Sequence, residues 1–409
     1  MKYEYENDNK LNSVEVTLQI GCILNCRYCP QKALISTYFK QDVNRTRQMS
    51  MDTFRRVLSQ VKRGGTIVFS GMCEGFLNPE CAKMIRLAYD EGYRINLLTT
   101  LMGFHEEYFS ILEGVKFDAI TLHIPDEENN AKFEITEEYL SNLKQFQKMF
   151  PISGYSCHGT IHSQVKDLID GNCMLLSEKT INNRAGNIEE GAAVKPKGKL
   201  TCLVGFAGNY GNWTPEVLPD GTLVLCCMDY GMKHVLGNLN SQTAGEILHG
   251  EEYLKFIQGM QDENIHILCR NCVAAKSEED LPSTHFANAI EQYKNNPLCI
   301  TDKHQAEVLE KFAQAENICI FGLGKLFWDN YYHQGYDKAM GATIFSDNDS
   351  CLWGKEIRGV LCVSPSKLLD YKKLLVVIHV SNDQEIREQL KEIGIINVIN
   401  ILEIYKTIG

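Results

Sequence analysis

Short apolar runs alternate with amphipathic stretches through the first half of the chain. Residues 14–20, 66–70, 94–98, 118–122 and 154–161 are rich in β-branched and apolar side chains and read as strands. Between them, 49–62, 79–91, 105–112 and 136–148 carry apolar positions at helical spacing. Strand–helix repetition of this kind predicts parallel strands joined by right-handed crossovers. A partial TIM-like barrel is the natural closure, with chemistry at the C-terminal ends of its strands.

The rhythm changes near residue 192. Up to about 275, turn residues crowd together, and Pro219-Asp220-Gly221 marks a hairpin with 222–226 as its return strand. A helical stretch follows over 244–258, and 277–314 reads as mostly helical. A second α/β unit occupies the end, with strands at 317–321, 342–345, 374–379 and 397–401 and helices at 325–334 and 383–393. The expected division is 14–191 barrel, 192–275 irregular Cys-rich domain, 276–314 helical linker and 315–409 Rossmann-like domain.

Length and charge narrow the classes. A chain of 409 residues exceeds one ordinary core. No apolar run approaches the roughly 20 residues of a membrane span, and MKYEYENDNK has no apolar signal segment. A cytoplasmic protein is expected, with its 16 cysteines present as thiols or metal ligands. The net charge of −11 argues against a nucleic-acid partner. Lys195, Lys197 and Lys199 form only a small basic run, read as a solvated loop.

Chemistry is concentrated in Cys22-Ile23-Leu24-Asn25-Cys26-Arg27-Tyr28-Cys29, directly behind the first predicted strand. Three thiolates hold three irons of a [4Fe–4S] cluster and leave the fourth without a protein ligand, which is what chemistry at the cluster requires. Closely spaced cysteines also suit tetrahedral zinc, the bland alternative. A second set, Cys202, Cys226, Cys269 and Cys272, falls in the irregular region and ends in a CxxC. Four thiolates suit structural zinc or a fully ligated cluster, and spacing does not choose between them. Cys227 adjoins Cys226 as a competing ligand.

The CxxxCxxC spacing, with aromatic Tyr28 before the third cysteine, resembles the radical S-adenosylmethionine (SAM) superfamily. The resemblance implies a (β/α)6 partial barrel and a SAM molecule whose amino and carboxylate groups chelate the open iron. Reductive cleavage then releases a 5′-deoxyadenosyl radical that abstracts hydrogen from an unactivated carbon. Phe69-Ser70-Gly71-Met72-Cys73-Glu74-Gly75-Phe76 stands where the family carries a Gly-Gly-Glu-like segment against the SAM amino group. Gly71 and Glu74 are kept, whereas Cys73 replaces a common glycine and Gly75 a common proline. Tyr28, Gly71, Glu74 and Thr99 are the expected cofactor contacts, and His123, His158 and Arg184 the candidate pocket residues. An arginine at a strand end suits a carboxylate or phosphate.

The pattern Cys…Gly-x4-Cys…CxxC, with Val235-Leu236-Gly237-Asn238-Leu239, resembles SPASM and Twitch auxiliary-cluster extensions. A single CxxC implies one auxiliary cluster, in the shorter form, and Gly221-x4-Cys226 favours Cys226 over Cys227. Electron transfer is the expected job of a fully ligated cluster, with a flavodoxin or ferredoxin as external donor. At the C-terminal end, Gly322-Leu323-Gly324 followed by Phe327 is a dinucleotide-type turn lacking its third glycine, with Asp347 at the next strand end. That region resembles Rossmann-like modules of bacterial polysaccharide pathways, for which substrate docking is the expected role and NAD(P) the lesser one. The expected reaction is oxidation or epimerisation at a carbon of a small polar or sugar-nucleotide substrate. Maturation of a ribosomally made peptide is the alternative, against which stand the roughly thirteen residues before the first strand. A metal-dependent binding module without catalysis is the third reading.

Overall fold

Alternation along the first strand gives the main sheet two unlike faces. In β1 (Leu11–Val16), Val14 and Val16 are buried, while Glu15 between them is half-buried and points to the opposite face. The same holds in β2 (Val61–Phe69), where Ile67 and Phe69 are buried and Thr66 and Val68 are half-exposed. β3 (Arg94–Thr99), β4 (Ala119–His123) and β5 (Gly154–Cys157) repeat the rule, and β6 (Met174–Ser177) pairs with β5. The apolar face packs on α2 (Met51–Ser59), α3 (Cys81–Asp90), α4 (Glu107–Leu112) and α5 (Glu137–Met149), while α1 (Gln31–Gln41) packs Leu34 and Tyr38 in a separate cluster with Leu218, Val224 and Tyr230. The other face presents Glu15, Thr121, His123 and Ser156, and Leu98 is 45% exposed there. A sheet buried on both faces would read as continuous apolar strands. This one keeps a polar, partly open face.

The computed structural model describes residues 9–41, 45–169, 174–177, 182–189, 195–202, 213–324, 327, 336–357 and 359–408. It divides into two compact units, Met1–Ala275 and Lys276–Gly409. The boundary expected at 191/192 lies outside the described residues.

In the first unit β1 to β6 pair in parallel and in sequence order. β7 (Leu200–Cys202) stands apart from that sheet. β8 (Glu216–Val217) then joins β1 in parallel, and β9 (Thr222–Val224) and β10 (Val235–Asn238) extend it antiparallel. The result is one nine-stranded mixed sheet, ordered β10-β9-β8-β1-β2-β3-β4-β5-β6. Segments expected to form a separate Cys-rich domain thus continue the main sheet. The Pro219-Asp220-Gly221 turn is as read: Gly221 has φ +85° and donates to Leu218 O at 2.9 Å. Asn238 Nδ2 donates to Asp220 O at 3.0 Å, and a Cβ on Gly237 would lie 2.6 Å from Ile247 Cγ1. Those two contacts are what the Leu-Gly-Asn segment supplies.

α1 was not expected; it begins right after Cys29-Pro30 and buries Leu34 and Tyr38. The helix read over 244–258 is two, Ala244–Leu248 and Glu251–Gln261, the first opened by a capping box of Thr243 and Glu246.

The second unit is a parallel sheet with one antiparallel edge strand. Its order is Glu356–Ile357, Val360–Val363, Ile344–Ser346, Asn317–Phe321, Leu374–Ile378, Val398–Asn400. Numbered along the chain, the five parallel strands run 3-2-1-4-5. Helices Pro282–Asn295 and Lys303–Gln314, in the segment read as a linker, contribute Phe286, Val308, Leu309 and Phe312 to this unit's core. Of the helix expected over 325–334, only Phe327 lies among the described residues. No helix among the described residues is long and apolar enough to cross a membrane.

Candidate active site

The cysteine loop is held at both ends by backbone bonds. Gly21 takes φ +94°, where a side chain would be strained, and Asn25 takes φ +38°. Arg27 N donates to Asn130 O at 2.8 Å, and Lys132 N donates to Leu24 O at 3.0 Å. Asp126 fixes that partner segment by accepting from the backbone N–H of Asn130 and Ala131. Cys22, Cys26 and Cys29 are all half-buried. A hydrogen bond from Cys73 brings the Cys22 thiol down to about 7. Burial, with the like charges of Cys29 and Cys22, pushes Cys26 up to about 12. Burial also raises Cys29, whose thiol donates to Tyr230 Oη at 3.6 Å and whose sulfur accepts from Gln31 Nε2 at 3.6 Å. Among the described residues no three His, Cys, Asp or Glu side chains converge on a single-ion position. A cluster asks for something else, since each cysteine takes its own iron. Three soft donors on one short, braced loop fit that group, and buried Gln31 Oε1 beside them has no hydrogen-bond partner.

The second loop, 70–74, lies against the first. Gly71 has φ +72°, and its N–H donates to Glu15 Oε1 at 3.0 Å. A Cβ there would stand 2.6 Å from Glu216 Oε1, so only glycine fits. Met72 N donates to Thr17 Oγ1 at 2.8 Å, and Gln31 Nε2 donates to Met72 O, tying the loop to α1. Cys73 Sγ donates to Gly21 O at 3.4 Å. Glu74 and Thr99, both expected to meet the cofactor, are buried and satisfy each other. Glu74 accepts from Thr99 Oγ1 at 2.7 Å and from Thr100 N and Oγ1 at 2.6 Å. Their side chains brace the loop from beneath, and burial holds the Glu74 carboxyl above the usual range.

Tyr28, expected as a cofactor contact, and His123 and His158, expected in the pocket, lie together. Tyr28 stacks on His158, and Tyr28 Oη lies 2.5 Å from His123 Nε2. His123 Nδ1 lies 2.8 Å from Ser156 Oγ. Burial first, then the charges of His158 and Arg184, lower His123 to about 3, so its ring is neutral at pH 7. Arg184 stands in three successive left-handed residues, Arg184, Ala185 and Gly186, opened by the Asn183 side chain. Its guanidinium reaches Met228 Sδ at 3.7 Å, and its positive charge acts on Cys29, Cys227 and Cys272. It therefore lies between the two cysteine sets.

In the second set Cys202 ends β7, Cys226 follows β9, and Cys269 and Cys272 flank a tight turn closed by Cys272 N to Cys269 O at 3.2 Å. His234 Nε2 accepts from Leu268 N at 3.0 Å, and its Nδ1 lies 2.7 Å from Glu252 Oε1, so His234 anchors the CxxC turn. Cys226 and Cys227 face different surroundings. Cys226 feels its neighbour Cys227 and then Cys269 and Cys202, whereas Cys227 feels Glu15, Glu216 and Arg184. Glu15 and Glu216 are register partners on β1 and β8. Burial, then Glu15, holds the Glu216 carboxyl well above the usual range, and its Oε2 is buried without a partner.

Sequence reading missed Glu15, Glu216, Gln31 and His234, and took Cys73 only as a replacement for a common glycine. The one available signal was acidic residues inside apolar strands, at 15 and 216.

The family model of the radical SAM superfamily matches residues 16–162, and that of SPASM, an iron–sulfur cluster-binding domain, matches 211–273. Several solved structures are similar at low identity. BtrN in complex with AdoMet and 2-DOIA is 16% identical over 64% of this chain and 93% of its own, at a TM-score of 0.41. Streptococcus suis SuiB bound to precursor peptide SuiA is 12% identical over 64% and 70%, at 0.41. anSMEcpe with bound AdoMet and Cp18Cys peptide is 15% identical over 64% and 86%, at 0.40. No curated protein matches the chain.

Proposed function

We propose, for a chain that belongs to the radical SAM superfamily and carries a SPASM-type iron–sulfur domain, that it abstracts hydrogen from a carbon of a small polar substrate, of the sugar or sugar-nucleotide class. Its cofactors are a [4Fe–4S] cluster with SAM and auxiliary iron–sulfur. When bound, the first cluster and SAM supply the 5′-deoxyadenosyl radical. Cys22, Cys26 and Cys29 hold that cluster, and Cys202, Cys226, Cys269 and Cys272 hold a single auxiliary one. Cys227 is left out of the set because its surroundings are carboxylates and Arg184 rather than thiols.

One observation carries the substrate class: opposite charges share the polar side of the sheet between the two thiol sets. Glu15 stands on β1, and Arg184 acts on Cys29, Cys227 and Cys272. A carboxylate orients hydroxyl or amino groups, and a guanidinium takes a carboxylate or phosphate in bidentate fashion. Neutral His123, chained to Tyr28 and Ser156, offers a fixed donor or acceptor without adding charge. Gly71 lets its loop lie against Thr17 and Glu216, Glu74 with Thr99 holds that loop in place, and the loop's backbone would be the group that meets the SAM amino group. The sheet is read as the wall of a (β/α)6 partial barrel, and an external flavodoxin or ferredoxin as electron donor. The second unit, ordered 3-2-1-4-5 with Gly322-Leu323-Gly324 after its first strand, is read as a Rossmann-like module for docking the substrate.

Anaerobic reconstitution with iron and sulfide, followed by reduction with SAM, tests the reading. 5′-Deoxyadenosine should form and rise with sugar nucleotides in a substrate panel. Stimulation by peptides alone would replace the substrate class with peptide maturation. No 5′-deoxyadenosine under any condition would remove the catalytic reading.

A further inference from the structure

We infer that Cys73 is a fourth thiol of the first cluster site, an exchangeable ligand for the iron that Cys22, Cys26 and Cys29 leave open. The inference deepens the assignment of those three cysteines to a [4Fe–4S] cluster and rests on it. Its basis is placement. Cys73 Sγ lies 3.4 Å from Gly21 O, one residue before Cys22. Four cysteines therefore share this corner of the fold, three on the first loop and one on the second.

The second loop cannot carry Cys73 away. Its neighbours are fixed on both sides. Gly71 is wedged against Thr17 and Glu216, Met72 is held by Thr17 and Gln31, and the Glu74 side chain is consumed by Thr99 and Thr100. Met72 and Glu74 are buried, whereas Cys73 between them stays half-buried on the side of the cysteine loop. Gln31 provides a second, independent pointer. Its Nε2 spans Cys29 on the first loop and Met72 O on the second, while its buried Oε1 is left without a partner. An unsatisfied buried acceptor is costly and marks a position that another group fills. The SAM amino group is a donor of the right kind.

The exchange balances without an outside oxidant or reductant. The bond from iron to Cys73 sulfur breaks, and bonds from iron to the SAM amino nitrogen and carboxylate oxygen form. The α-ammonium group loses one proton to become a ligand, and the departing Cys73 thiolate takes up that proton. Net charge and oxidation state are unchanged. In the absence of SAM the cluster is closed by four thiolates, which shields its labile iron. Competition between Cys73 and SAM lowers the apparent SAM affinity in proportion to the fraction of open sites.

The test compares wild type, Cys73→Ala and Cys73→Ser after anaerobic reconstitution. Iron analysis comes first. Wild type without iron at the first site would remove the cluster reading itself, separately from the role of Cys73. Mild ferricyanide oxidation without SAM follows, with the three-iron product counted by electron paramagnetic resonance. An iron lacking a protein ligand leaves first, so both variants should give several times more three-iron product than wild type. SAM binding by equilibrium dialysis should tighten on the order of tenfold in Cys73→Ala if Cys73 occupies about nine sites in ten. Equal three-iron yields with equal or weaker SAM binding would overturn the assignment. If Cys73→Ala fails to take up iron, Cys73→Ser keeps a donor toward Gly21 O and carries the same comparison.

Discussion

Tyr28 lies flat on His158, with ring centroids 3.7 Å apart and an interplanar angle of 24°. The aromatic residue before the third cysteine thereby faces the polar side of the sheet, and its hydroxyl engages His123. The cysteine loop and the strand ends behind it form one hydrogen-bonded unit.

Replacing Tyr28 by phenylalanine keeps the stacking and removes one O–H. His123, set in low-dielectric surroundings, then loses a partner at Nε2, which costs about 1–3 kcal/mol. Urea unfolding under anaerobic conditions should show a lower midpoint with an unchanged slope. Tyr28→Ala, which also removes the ring against His158, should lower it further.

Glu216→Gln separates shape from charge. In the folded protein the Glu216 carboxyl titrates well above its unfolded value, because it is buried and lies beside Glu15. The native state therefore binds a proton that the unfolded chain has released, and wild-type stability falls as pH climbs from about 4.3 toward the folded pKa. Glutamine removes that slope and keeps an acceptor for Thr17 Oγ1. Stability of the variant relative to wild type should grow with pH across that window. A constant difference would show that Glu216 is not held protonated.

Iron content distinguishes the adjacent cysteines. Cys226→Ala should lose the auxiliary iron, and Cys227→Ala should keep it, because only Cys226 lies among Cys202 and Cys269. Cys269→Ala/Cys272→Ala should fall from about eight irons to about four if each site holds four. Loss of iron in Cys227→Ala alone would reverse the order.

Gly71→Ala should destabilise the first unit by about 1–2 kcal/mol from backbone strain alone, since φ is +72°. The added methyl also meets Thr17 and Glu216, so SAM binding should weaken together with stability. Thermal unfolding and equilibrium dialysis on one preparation would read both.

Much of this was legible because alternation and spacing are local. Val14, Ile67, Ile95, Ile120 and Tyr155 recur with partners two positions away, which marked five of the six early strands and left out β6. The CxxxCxxC loop and the Pro-Asp-Gly hairpin are likewise contained in a few residues. What stayed hidden depends on long-range pairing. Glu15 and Glu216 are register partners although about half the chain separates them, and nothing local announces that. Cys73 read only as a departure from a glycine, because its neighbour Cys22 comes from another loop. Glu74 and Thr99 read as separate cofactor contacts, and nothing local shows that, 25 residues apart, they hydrogen-bond each other. Helix α1 was not legible because its buried positions are Gln31, Leu34 and Tyr38, one of them polar, so no clear apolar stripe marks 31–41.

The pairing of β8 with β1 has a consequence for electron traffic. Cys22 follows the end of β1, and Cys226 follows β9, which is laddered to β1 through β8. One cysteine of each set, Cys22 and Cys226, therefore hangs from one continuous ladder of backbone hydrogen bonds, whereas Cys202 ends the separate strand β7. Tunnelling decays exponentially with separation. Centres held at those two cysteines would have part of their spacing set by the sheet itself.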